Sequence, residues 1–458
     1  MNIPFASPRI SSGAKHPPGP EGRPLLGNML EFSRDVLRYY IEWSRDYGDI
    51  VALQLAAWPA VLLNNSDYAE YVLVKNHRNF IKFPLFFRHV RAIFGQGLLT
   101  SEGEFWHRQR RLAAPAFHAQ RVAAYGAAMV QDTERMLATW RTNELRDVHT
   151  DMMALTLRIA AKTLFNTEVD EDVAEIGRAF NTVAEEIAVR IRRPFLIPDV
   201  IPTPSNVRYV RGVRRVDQVV TTIIKERQAQ GGDCGDLLSM LMLARDDEGR
   251  PMTERQLRDE VITLLLAGHE TTALALSWTW YLLSQSPDVD AKLAGELREI
   301  LGGRAPAVSD LPRLRYTEQV VTEAMRLYPP AWGFGREAIA DCEIGGYAIR
   351  AGTTVIISPW ISHRDPRHFE EPLKFRPERW AGDFAAKLPR FAYIPFGGGP
   401  RICIGNRFAM MEAVLILATV AQRFHVEWQR DRPVVPLPSI TLRPKDGVWV
   451  KPVLRAGQ

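Results

Sequence analysis

The stretch Phe396-Gly397-Gly398-Gly399-Pro400-Arg401-Ile402-Cys403-Ile404-Gly405 decides how this chain is read. One cysteine sits in a glycine-dense loop, with an arginine two residues before it and a glycine two after. Glycines let backbone approach a flat ligand closely and take up turns closed to other residues. Backbone N–H groups of the loop and of the next helix can point at the sulfur and lower its pKa. The pattern suits a thiolate held against a large planar cofactor, with Arg401 facing an anionic edge. A lone cysteine is most often a small buried hydrophobe, and a triple glycine can be just a loop. Five positions fixed at once weigh against that plainer reading.

The rest of the chain bounds the setting. No linker, repeat or shift in composition divides its 458 residues, and 46% hydrophobic content can fill a large core. Cys234, Cys342 and Cys403 are odd in number and far apart, which argues against a disulfide framework and for a reducing interior. The net charge of +5 suits docking of a small acidic protein. Without a basic-aromatic platform or zinc spacing it does not point to nucleic acid. Residues 1–20 are a Pro-rich N-terminal segment, expected to be partly disordered, with no apolar core for a signal peptide or anchor. Residues 261–283 are long enough for a bilayer by the ~20-residue criterion. His269, Glu270, Thr271 and Thr272 sit at their centre, where ionisable groups in lipid are expensive. The run reads as a buried helix, and the chain as soluble and cytoplasmic.

Periodicity predicts strands at 50–55 and 60–63, and a helix capped by Ser66 and running to 74. Helices are expected over 104–112, 121–140, 151–164, 171–192, 206–230, 253–285, 287–301 and 317–328, the last stopped by Pro329-Pro330. A strand-like run at 353–358 and a helix from just after Cys403 to about 424 complete a mostly α chain with a small β portion.

Several groups of residues carry chemistry. Ala267-Gly268-His269-Glu270-Thr271-Thr272 sets poor helix formers in mid-helix, a violation expected where function overrides propensity. Gly268 lets a ligand approach. A threonine hydroxyl bonded back to a carbonyl distorts the ladder and makes room for oxygen or water. Glu270 can then relay protons into a dry pocket, although a polar kink with a paired glutamate explains the residues too. His269 reads as a flanking pocket or surface side chain. Trp106 and Arg110, four apart, place two donors on one helix face, as a carboxylate requires. Arg108 and Arg111 fall on other faces and could meet a partner protein, but an ordinary solvated face is the preferred reading. Glu323 and Arg326 share a helix face, an arrangement worth only ~0.2–0.5 kcal/mol when exposed. Arg190, Arg192, Arg193, Arg208, Arg211, Arg214 and Arg215 surround a single acid, Asp199. A solvated face is preferred there over capture of an acidic or membrane-dissolved molecule.

In order and spacing these motifs resemble the cytochromes P450. The loop matches Phe-x-x-Gly-x-Arg-x-Cys-x-Gly at every fixed position, and Gly268 to Thr272 match the acid–alcohol pattern. Glu323-Ala324-Met325-Arg326 matches Glu-x-x-Arg, and Pro377-Glu378-Arg379 the later Pro-Glu-Arg segment, with Trp380 replacing the commoner phenylalanine. The resemblance implies the P450 triangular prism, one catalytic domain over 1–458. It implies haem b with Cys403 thiolate as axial ligand of the iron. Phe396, Gly399 and Gly405 belong to the binding loop, and Trp106, Arg110, Arg401 and Arg336 to the propionate edge. Thr271 hydrogen-bonds bound dioxygen and Glu270 supplies protons. Glu323, Arg326 and Arg379 form a buried ion triad that fixes the cysteine loop, in which losing one partner costs roughly 3–5 kcal/mol. Some fatty-acid-hydroxylating relatives carry a glutamate esterified to haem where Ala267 stands, so no such link is expected.

The implied reaction inserts one oxygen atom from dioxygen into a lipophilic substrate, by hydroxylation or epoxidation. No flavin or nicotinamide motif and no iron–sulfur cysteine set appears. Electrons are therefore expected from a separate ferredoxin or flavodoxin with an NAD(P)H-dependent reductase. A monomer without membrane anchor or nucleic-acid partner is expected. Two other classes stay open: a peroxygenase or isomerase, whose relatives commonly alter the acid–alcohol pair, and a non-catalytic haem-thiolate sensor, which needs an output region. Residues 83–90, 195–201 and 331–334, including Phe86, Phe87, Trp332 and Phe334, suggest an apolar pocket for a fatty acid, terpene or steroid.

Overall fold

The computed structural model describes residues 10–11, 13–166, 171–191, 197–232 and 235–455. Its axis is the 30-residue helix Glu254–Leu283, started by a capping box between Thr253 and Gln256. This is the one described helix long and apolar enough to cross a bilayer, yet 83% of its most apolar window is buried by protein. A helix apolar on every side belongs in a core. Val148–Phe165, Arg315–Leu327 and Asn406–Arg423 pack around it. One apolar cluster joins its Leu276 and Trp280 to Leu415 and Leu417 of the last of these. Another joins Val261 and Leu265 to Phe180, Val216 and Ile224 of the helices Glu171–Ile191 and Pro204–Gln230.

Beside the helices lies a five-stranded sheet in the order Ile50–Leu55, Trp58–Leu63, Thr354–Ile357, Phe334–Ala338, Phe80–Lys82. All neighbours are antiparallel except Trp58–Leu63 with Thr354–Ile357, where Ala60 faces Thr354. The expected mostly α architecture with a small β portion is present.

Differences from the expected elements have local causes. Met29–Tyr47 is a helix that periodicity did not single out; it has no side-chain cap, and Asp35 (φ −160°, ψ 73°) breaks its phase. Pro84–Phe94 is a second. Asn65, not Ser66, is the cap, its side chain accepting from the Asp67 and Tyr68 amides at 2.9 and 3.3 Å. The helix expected at 121–140 is split at Tyr125. The C-terminal strands pair with distant partners: Trp449–Leu454 lies between Phe424–Trp428 and Arg146–Asp147, and Pro436–Pro438 pairs with Leu442–Pro444.

The basic 190–215 stretch is not simply a solvated face. Arg190 is buried, stacked over Tyr209 at 3.7 Å, and donates to Asp199 (2.7 Å) and Asn206 (2.8 Å). Ion pairs of Arg208 with Glu186 and of Arg215 with Glu175 tie Pro204–Gln230 to Glu171–Ile191. Arg211 and Arg214 are exposed. Arg192, Arg193, Phe195, Cys234, most of the first twelve residues and the side chains of Phe86 and Phe87 lie outside the described residues.

Candidate active site

The cysteine loop is closed by the Cys403 amide donating to Phe396 O at 3.0 Å. Gly399 (φ +67°) begins a tight turn, and a Cβ there would overlap Leu73 O, so only glycine fits. Gly405 then caps the helix Asn406–Arg423. The Cys403 thiol keeps accessible surface, yet burial raises its pKa, more than the Gly405 N–H and Arg110 lower it. Both observations hold if the sulfur faces an enclosed recess. They also correct the expectation of a net lowered pKa: the donors are in place, but in the chain itself desolvation wins.

The central helix presents a matching face. Ala267, Gly268 and Thr271 are accessible in a stretch whose other residues are buried. A Cβ on Gly268 would meet nothing within 4 Å. Thr271 Oγ1 donates to Ala267 O at 2.7 Å and Thr272 Oγ1 to Gly268 O at 3.2 Å. These back-bonds are the expected ones, but the helix runs on unbroken from Glu254 to Leu283, so they do not open the ladder. Glu270 is buried, accepting at Oε1 from Thr441 Oγ1 (2.8 Å) and Arg443 Nε (2.6 Å). His269 is not a surface group. It is buried against Phe180, and burial holds its pKa down to about 4, so it is neutral.

At the opposite edge of the loop, arginines gather. Arg401 pairs with Glu102, donates to Ser101 O at 3.1 Å, and lies 4.2 Å above the ring of buried Trp106. Trp106 therefore supports Arg401. Arg110 and Arg336 lack any carboxylate partner among the described residues. Burial lowers the pKa of both, that of Arg336 to about 10, with Arg401 adding repulsion there. Gln109, beside Arg110, donates to Glu260 at 3.0 Å and so fixes the helix Gly103–Ala113 to the central one. Arg108 is not solvated: it reaches Asp246 at 2.7 Å, while the exposed Arg111 meets Asp247 at 2.5 Å.

Glu323, Arg326 and Arg379 come together as expected. Arg326 grips Glu323 through two bonds of 2.8 and 2.9 Å, and Arg379 Nε lies 3.3 Å from Oε1. Arg326 also donates to the carbonyls of His363, Pro372 and Lys374, which pins the strand-poor segment leading to the cysteine loop.

Sequence reasoning missed several members. Trp380 donates to Glu323 Oε2 at 2.8 Å, so it is more than a conservative replacement for phenylalanine. Lys82 is buried, donating to Leu98 O and Ser101 O, and burial together with Arg401 lowers its pKa to about 6. Glu412 is buried beside the Thr272 hydroxyl with no cation paired to it among the described residues, and burial raises its pKa to about 8 against a smaller lowering by Thr272. Lone polar residues inside apolar periodicity, as Glu412 is, were the one available signal. Glu102, Thr441 and Arg443 carried none.

The family model for cytochrome P450 matches residues 17–450. The chain is a cytochrome P450. It is 39% identical over 94% of its length to cyclooctatin synthase of Streptomyces melanosporofaciens, covering 92% of that protein. It is 38% identical to cyclooctat-9-en-7-ol 5-monooxygenase of the same organism (92% of this chain, 90% of the relative). To pentalenene oxygenase of Streptomyces avermitilis it is 33% identical (92% and 94%). This P450 is thus a monooxygenase that uses a haem-thiolate iron cofactor, dioxygen, a redox partner and a lipophilic substrate.

The residues present fit that cofactor. An exposed Cys403 in a closed loop, an accessible helix face with open space at Gly268, and two guanidinium groups with no carboxylate partner among the described residues are what a planar dianionic iron macrocycle needs.

Proposed function

We propose that this P450 is one catalytic domain, a cytoplasmic monomer, that holds haem b through the Cys403 thiolate and oxygenates a terpenoid substrate. A ferredoxin or flavodoxin with its reductase supplies the electrons, and no ester forms at Ala267. The observation that carries the ligand assignment is the exposed Cys403 in its closed glycine loop, close enough to Arg110 for that guanidinium to favour its thiolate. The terpenoid reading rests on the names of the bacterial relatives and on the half-buried aromatic residues Trp332 and Phe334.

Bound here, the haem iron would activate dioxygen, and the protein would orient substrate and move protons. Arg110 and Arg336 would hold the propionates, their charge already buried and unmatched. Arg401, stacked on Trp106 and shared with Glu102, would complete that edge. Thr271 is the hydroxyl at the accessible face. While its hydrogen goes to Ala267 O, its lone pairs are what a bound molecule meets, and it donates only when the rotor swings away. Glu270, its neighbour in sequence, is the acid that would replace the proton Thr271 gives. The retained Glu270–Thr271 pair favours dioxygen over the peroxygenase or isomerase reading.

The test is the absorption spectrum of the reduced, carbon-monoxide-bound protein. The wild type should show the red-shifted Soret band of a thiolate haem, and Cys403→Ala should lack it. An unchanged band in the variant would remove Cys403 as ligand. Titration with a polycyclic terpene alcohol should then shift the spin state; a response to long-chain fatty acids alone would overturn the substrate class.

A further inference from the structure

The C-terminal hairpin lies far in sequence from the central helix yet closes on its acid. Pro436–Pro438 and Leu442–Pro444 form the two strands. Thr441 donates to Glu270 Oε1 at 2.8 Å, Arg443 Nε to the same oxygen at 2.6 Å, and Arg443 Nη2 completes the ion pair. Both charged side chains are nearly enclosed, 11% exposed for Arg443 and 4% for Glu270. Among the described residues no donor reaches Oε2.

Two purposes can be imagined for such a contact, and the surrounding bonds separate them. If Arg443 served to fasten the hairpin to the helix, the hairpin would lack other anchors. It has three. Trp278 Nε1 donates to Leu442 O at 2.9 Å, the Leu442 amide to Pro330 O at 2.9 Å, and Trp332 Nε1 to Ser439 O at 3.0 Å. Leu442 is itself fully buried in the cluster around Trp278 and Trp360. The backbone that carries Arg443 is thus placed independently of Glu270. Its guanidinium then fixes the carboxylate rather than the reverse.

We propose that Arg443, assisted by Thr441, is the positioning residue of the proton-supplying acid: it pins Glu270 Oε1 and leaves Oε2 as the oxygen that takes up and passes a proton. This rests on the role given to Glu270 above. A carboxylate held at one oxygen keeps one rotational setting, and small displacements of a proton donor cost rate steeply. The reaction consumes two protons with its two electrons; each proton that passes through Glu270 is first taken up from solvent and then given toward Thr271, so the carboxylate ends each transfer as it began. The electrons are those of the established reaction, delivered by the redox partner.

The experiment compares Arg443→Met, Arg443→Lys and Thr441→Val with wild type, all haem-loaded. Three readouts are taken: product formed per NAD(P)H consumed with a surrogate reductase, the substrate-induced spin shift, and urea unfolding. Arg443→Met should lower coupling by about tenfold to hundredfold, with hydrogen peroxide released instead and the spin-shift Kd unchanged. Arg443→Lys should recover most of it. Thr441→Val, which removes one bond and strands no charge, should lose several-fold by the same reasoning at about half the contacts. It remains informative if Arg443→Met does not fold. In unfolding, Glu270→Gln and Arg443→Met together should cost less than the sum of the two alone. Coupling that survives both Arg443→Met and Thr441→Val, or additive unfolding losses, would overturn the proposal. Loss of the thiolate Soret band in wild type would sink the earlier reading instead, so the two failures are distinct.

Discussion

The cluster around Glu323 and the cluster around Arg401 are both buried and both rich in arginine, yet one is closed and the other open. Glu323 takes Arg326, Arg379 and the Arg376 amide at Oε1, and Arg326 and Trp380 at Oε2, so both oxygens are saturated. Around Arg401 there are three guanidinium groups, Arg401, Arg110 and Arg336, beside a buried Lys82 whose pKa is lowered to about 6, and among the described residues the carboxylate paired with them is Glu102, through Arg401. A saturated ionic cluster holds a fold. One with guanidinium groups that contact no carboxylate is incomplete until an anion arrives, because burying an unpaired charge is costly.

The sharpest way to break this contrast is Glu323→Ala. It strands two guanidinium groups and should cost roughly 3–5 kcal/mol in urea unfolding; an unmoved midpoint would mean the cluster is not closed. Glu412 tests a third condition, a buried acid with no cation paired to it among the described residues. Folded, it keeps its proton up to about 8. Unfolded, it releases it near the ordinary carboxylate value, ~4.3. Stability should therefore fall as pH rises between those values, by up to ~1.4 kcal/mol per pH unit. Glu412→Gln should flatten that slope in pH-dependent unfolding; an identical slope would show Glu412 already ionised.

At the open cluster, Arg336→Ala should leave the unfolding of haem-free protein unchanged or improved. Transfer of haem to an acceptor protein should be faster by about tenfold to hundredfold, from the ~1.5–3 kcal/mol of a bond to a charged group. Equal retention would remove Arg336 from the propionate edge. The smallest effect belongs to Arg111→Ala. Its pair with Asp247 is 65% and 75% exposed, so the change should stay below ~1 kcal/mol. The rate of reduction by a redox partner should not move; a slowed rate would assign Arg111 to docking after all.

What was legible in the sequence follows the range of the interactions. The cysteine loop and the Glu323–Arg326 pair each lie within ten residues of sequence. Helix Pro287–Leu301 was read with its bounds correct because a proline starts it and a glycine follows it. The helix Met29–Tyr47 was not read, since the break at Asp35 hides a period its buried residues obey on either side. The strands after Arg423 were missed because they are defined by partners, not by alternation. Arg111 was read rightly as an exposed residue and Arg108 wrongly, though they differ by three positions in one helix; what distinguishes them is the distant segment with Asp246 and the Pro251 carbonyl, which Arg108 reaches.

By itself the sequence determined the family, the mostly helical class and the residues that meet at the cysteine, because glycine conformations, caps and motif spacing act over a few bonds. Tertiary structure alone decided which of the charges are satisfied. Glu270 finds Arg443 across 173 residues, Glu323 finds Trp380 across 57, and Arg401 finds Glu102 across 299. Such pairings depend on burial and distance in the folded chain, and burial sets whether a charge is a brace, a proton carrier or a place for an anion.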